Sequence, residues 1–134
     1  MSTILVISKN NEIRRKYRSA FYKMANKIIV KEDIFEGMNE IKWYSPDLII
    51  WNFDPQNSTD KKGYTNLRTK YGSIPIILAI NEYSQSDTFE QYDSIIYGIN
   101  EIEKMKTKIV EIIGKPKPIM RYLDDETEEY DRSS

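Results

Sequence analysis

Residues Pro46 to Pro55, PDLIIWNFDP, decide the fold. Leu48, Ile49, Ile50 and Trp51 form a continuous apolar run that is too short for a helix and is followed by turn-forming residues. A run of this kind suits a central parallel strand, covered on both faces so that side chains pointing either way meet core. In open parallel sheets, ligands and chemistry gather in the crevice beyond the carboxyl ends of the strands. Asn52, Asp54 and Pro55 therefore sit where the function of the chain is decided, and the residue at the strand tip is an asparagine.

The rest of the chain repeats the strand signal on both sides. Upstream, Ile4 to Ile7 and Lys27 to Val30 read as strands. Between them Asn10 or Asn11 caps a helix from Glu12 to about Ala25, with its apolar face at Ile13, Tyr17, Ala20, Phe21 and Met24. A second helix is marked by Ile34, Phe35, Met38 and Ile41, weakened by Gly37 and closed by Ser45-Pro46. Downstream, a polar loop from Gln56 to Lys62 precedes a short helix carrying Tyr64, Leu67 and Tyr71. Pro75 to Ile80 and Ile95 to Tyr97 read as the fourth and fifth strands. The intervening segment holds at most a short helix near Asp87 to Tyr92. Asn100 with Glu103 resembles a capping box for a last helix with stripe Ile102, Met105, Ile109, Ile112 and Ile113, closed by Gly114. Five short strands alternating with helices predict an α/β three-layer sandwich with a five-stranded parallel sheet of flavodoxin-like order 2-1-3-4-5. The expected division is a domain over residues 1–114 and an acidic, disordered tail over 115–134.

Composition narrows the function classes. The chain has 134 residues with 40% hydrophobic and 31% charged residues, as in an ordinary globular protein. A net charge of −1 argues against nucleic-acid binding, which needs a basic footprint. Without cysteine or histidine there is no thiolate, no imidazole base and no soft metal ligand. Five glycines form neither a GxGxxG nor a GxxxxGK pattern, and the turn Ser8-Lys9-Asn10-Asn11 has none for a phosphate cradle. No apolar run approaches a membrane span and no signal-peptide pattern opens the chain, so a cytoplasmic location is expected. No enzyme, metal or cofactor is indicated.

PDLII, then GYTNLR (residues 63–68), SIPIILAI (73–80) and YDSIIY (92–97) together resemble a response-regulator receiver domain over about residues 3–114. The resemblance implies a CheY-like fold and a place in two-component signal transduction. A phosphate-accepting receiver uses two acidic residues after its first strand, an aspartate at the tip of its third, a hydroxyl ending its fourth and a lysine ending its fifth. By position the acidic pair falls on Ser8 and Lys9, or on Lys9 and Asn10. The acceptor falls on Asn52, the hydroxyl on Ile80, the lysine on Tyr97 and the proline after it on Gly98. All five functional positions are changed. An amide is a poor nucleophile without charge to hold Mg²⁺, and Ile80 and Tyr97 do not substitute for a hydroxyl and an ammonium.

The expectation is a degenerate pseudo-receiver that works as a phosphorylation-independent protein interaction module. Two alternatives stand beside it: a working receiver with Asp54 as a displaced acceptor, and a small-ligand binder using the crevice near Ser8, Asn52 and Tyr97. Asp54 before Pro55 also reads simply as a turn residue. The spacing from Ile80 to Ser94 is short for the family and implies a stunted or missing helix between the last two strands. Candidate partner-binding residues are Arg14, Arg15 and Arg18 in the basic band of the first helix, Tyr97 on the face that receivers use for partners, and Tyr122 and Tyr130 in the tail. Protein partners of a signalling system are expected, with a homodimer as one form and neither nucleic acid nor membrane as a partner.

Overall fold

Every apolar run of the sequence becomes a strand in the computed structural model, which describes residues 2–81, 92 and 94–114. The order is β1 (Thr3–Ile7), α1 (Asn11–Phe21), β2 (Lys27–Lys31), α2 (Ile34–Tyr44), β3 (Leu48–Asn52), α3 (Ser58–Tyr71), β4 (Ile76–Ile80), β5 (Ile95–Gly98) and α4 (Ile102–Ile113). The five strands form one parallel sheet in the order β2-β1-β3-β4-β5. This is the flavodoxin-like arrangement, with helices on both faces.

Alternation along the strands divides the core in two. Leu5, Ile7, Ile49, Trp51, Leu78 and Ile80 point to the side of α2 and α3, where Phe53, Tyr64 and Tyr92 complete an aromatic cluster. Ile4, Val6, Leu48, Ile50, Ile77 and Ala79 point to the side of α1 and α4 and meet Ile13, Tyr17, Phe21, Met105 and Ile109. Burial pushes the Tyr17 phenol far above its usual range. Its hydroxyl donates to the Ile99 carbonyl at 2.7 Å, tying α1 to the turn before α4.

Local details depart from the sequence expectations at several points. Residues 58–62, expected as loop, are the first turn and a half of α3, whose N-terminus is capped by the Asn57 side chain on the Asp60 amide. They look loop-like because all five are polar and four of them, Ser58, Thr59, Lys61 and Lys62, are exposed. Phe35, expected in the buried stripe of α2, is 53% exposed, because Ile34, Gly37 and Ile41 supply the face that meets the sheet. Helix α1 ends at Phe21 rather than near Ala25. The expected capping box at Asn100 does not form: α4 begins at Ile102, Asn100 accepts from Lys16, and Glu101 accepts from the Gly98 amide. The expected short helix between β4 and β5 lies almost wholly outside the described residues, as does the whole tail 115–134.

Candidate functional site

The carboxyl ends of β1, β3 and β4 meet around Asn52. Ser8, one residue past β1, is 1% exposed, which obliges its hydroxyl to find partners. It accepts from the Asn10 amide at 3.0 Å and donates to Asn52 Oδ1 at 3.0 Å. Asn52 Nδ2 donates to the Ala79 carbonyl at 3.0 Å and to Asn81 Oδ1 at 2.7 Å. Because the Ala79 oxygen can only accept, the amide must turn its NH₂ toward β4 and its oxygen toward Ser8. The side chain thus cross-links three strand ends, and both of its polar atoms are committed.

Charged side chains of both signs gather beside this network. The Arg14 guanidinium donates to the Ser8 carbonyl and to Asn11 Oδ1, and lies 3.9 Å from Glu32. Lys9 projects from the same turn and is exposed. Opposite stands Asp60 in the first turn of α3, 8% exposed, with Oδ2 accepting from the Asp54 amide at 2.8 Å. Desolvation raises the Asp60 pKa above the ordinary carboxylate range, while the Asp54 N–H and the Lys9 charge pull it down. Lys9, Glu32, Asp33, Asn52 and Asp60 line a cavity of about 150 Å³ between the β1 turn, the start of α2 and the start of α3, with Arg14 outside it. Typical ligand pockets begin at roughly 300 Å³, so the cavity is small for a flavin or nucleotide. Among the described residues, no group of three or more Asp, Glu, His or Cys side chains is placed to hold a metal ion.

The sequence-predicted residues divide between this site and other places. Ser8, Asn10 and Asn52 are linked by hydrogen bonds, and Lys9 lines the cavity beside them. Ile80 does not join them: it is 4% exposed in the α2–α3 side of the core, and Asn81 is the residue after β4 that meets Asn52. Parity explains this, since Asn52 pairs with Ala79 and residues 79 and 81 share its face. Tyr97 pairs with Ala79 on that same face, but it is half-buried against the α1–α4 core and does not line the cavity. Asp54 lies beyond β3 and accepts from the Gln56 amide at 2.9 Å, which is an Asx turn. Arg14 is separated from its neighbours by its contacts at the β1 turn, whereas Arg15 and Arg18 are exposed. Tyr122 and Tyr130 lie outside the described residues. Sequence reasoning missed Asp60 and Asn81. An acid three residues after a capping Asn was a signal for the first, and strand parity was one for the second.

No protein-family model matches the chain, and no curated protein does. Solved structures do match. The chain is similar to the Vibrio cholerae chemotaxis protein CheY4, with 14% identity, TM-score 0.68, and coverage of 84% of this chain and 99% of that one. It is similar to the receiver domain of the Francisella response regulator 1452, with 17% identity, TM-score 0.67, and coverage of 84% and 96%. It also matches HP1043, an orphan response regulator of H. pylori, with 17% identity, TM-score 0.63, and coverage of 84% and 96%. At these identities the likeness is one of fold.

Proposed function

We propose that this chain is a pseudo-receiver, a receiver-type scaffold acting in signal transduction as a protein interaction module that does not depend on phosphorylation. The observation that carries this reading is the amide environment of Asn52. At the position where a receiver keeps its acceptor aspartate, the Ala79 carbonyl calls for a donor, which a carboxylate does not supply, and the Asn81 amide completes the neutral network. The adjoining turn adds Lys9 to a cavity whose carboxylates, Glu32, Asp33 and Asp60, form no group placed to hold a cation, and the Arg14 guanidinium of α1 donates to the Ser8 carbonyl behind it. The partners are proteins of a regulatory system, met through fixed surface features.

The test is incubation of the purified chain with acetyl phosphate and Mg²⁺, read by intact mass. The expected result is an unmodified mass, and an acyl-phosphate adduct overturns the proposal. Loss of such an adduct in Asp54→Ala but not in Asn52→Ala would assign it to a displaced acceptor, at the expense of the Asx turn that Asp54 now makes.

A further inference from the structure

Helix α1 presents one face that the fold leaves electrostatically unbalanced. Ile13, Tyr17 and Phe21 are buried, while Arg15, Arg18, Ser19 and Tyr22 run along the opposite side and are exposed, with exposed Lys23 just beyond the helix. Tyr22 is 65% exposed at the end of this stripe. On neighbouring α4, Lys104, Lys106 and Lys108 each pair with a glutamate three residues away. Arg15, Arg18 and Lys23 meet no carboxylate among the described residues. Like charges three and four residues apart on a helix destabilise it, so the stripe is a surface that gains from an anionic cover.

We propose that the chain's own acidic stretch, Asp124–Asp131, docks in cis on this stripe of α1. Three observations favour that occupant. The stretch carries six carboxylates in eight residues and no basic one. The chain leaves the fold at the right place: α1 and α4 pack on the same side of the sheet, with Met24, Ile112 and Ile113 in one cluster, so Gly114 lies at the same end of the molecule as Tyr22. Nine residues lie between Gly114 and Asp124, ten steps of chain that span up to about 33 Å, against about 10 Å from Arg15 to Tyr22 along the helix. A tether of this length holds the acidic stretch at an effective concentration in the millimolar range, so weak surface ion pairs are enough for occupancy. Docking there makes the tail an internal competitor for any acidic partner of α1.

The experiment uses the full chain as an equal mixture of ¹⁴N- and ¹⁵N-labelled protein, cross-linked with a zero-length carbodiimide and read by peptide mass. The expected product joins Lys23 or Lys16 to a carboxylate of residues 124–131 within one isotope. It is lost in about 1 M salt, where screening acts within about 3 Å, and lost in the Arg15→Glu, Arg18→Glu double variant, whose changes are at exposed positions. Amide NMR supplies a second reading: converting the six carboxylates to amides shifts resonances of residues 12–23 and leaves the sheet unchanged. Cross-links only between isotopes would assign the stripe to a second copy and overturn docking in cis. Unshifted α1 amides, or cross-links that survive the double variant, would overturn it as well.

Discussion

Asn52 shows how one side chain changes what a strand tip can do. An aspartate in its place keeps the Ser8 bond but sets a carboxylate oxygen against the Ala79 carbonyl. The Ala79 carbonyl keeps the Phe53 amide as donor and the exposed Asn81 amide can turn its NH₂ inward, so the loss is that of one hydrogen bond, about 0.5–1.5 kcal/mol. Asn52→Asp is therefore expected to lower stability by that amount in urea unfolding, and to stay unlabelled by acetyl phosphate because Lys9 remains in the lining of the same cavity. Asp60 gives a second prediction at this scale. Its folded-state pKa is raised by burial, so the folded state holds the proton more tightly than the unfolded chain. The stability from this group is present below the unfolded carboxylate value, about 3.9, and falls as pH rises through the folded value. Asp60→Asn keeps an oxygen for the Asp54 amide but does not titrate. Its stability relative to wild type should rise as pH climbs from about 4 through the folded-state value, and a pH-independent difference would contradict this. Asn52 and its strand are plain in the sequence, whereas Asp60 sits among residues that read as loop and owes its burial to contacts between elements.

At the scale of elements, two helices approach their neighbours through glycine. A Cβ on Gly63 would stand 2.7 Å from Ile34 Cγ2 and 3.4 Å from Trp51, so α3 reaches α2 and β3 only because that atom is missing. Gly63→Ala should gain about 1 kcal/mol in helix propensity and lose about 1–3 kcal/mol by overpacking. Net destabilisation in thermal unfolding is the expected outcome, and a stabilised variant would show that the α2–α3 contact yields. Gly37 is similar: the sequence presents it as a weak point of α2, and the structure sets it against Ile7 at a distance that a Cβ would bring to 2.8 Å. Helical periodicity located both helices, but no local signal distinguishes a helix-weakening glycine from one required by a close approach.

Across the whole molecule, stability should grade from the centre of the sheet outward. Strands β1, β3 and β4 each pair on both sides and are buried almost throughout, whereas all four residues of β5 are half-buried at an edge. Native-state hydrogen exchange is expected to be slowest in β1 and β3 and measurably faster in β5. Equal protection of β5 would contradict that grading. The sequence by itself determined the element types and their order, hence the α/β class and the parallel sheet, because apolar runs, caps and breakers are local properties of the chain. It also determined that an amide, Asn52, stands at the tip of the central strand and that a lysine, Lys9, follows the first. Only the tertiary structure decided that Asn81 rather than Ile80 meets Asn52, that Asp60 is buried opposite Lys9, and that Arg14 leaves the basic band to hold the β1 turn. Those outcomes depend on strand register and on the packing of α1 and α3 against the sheet, which bring together residues distant in the chain.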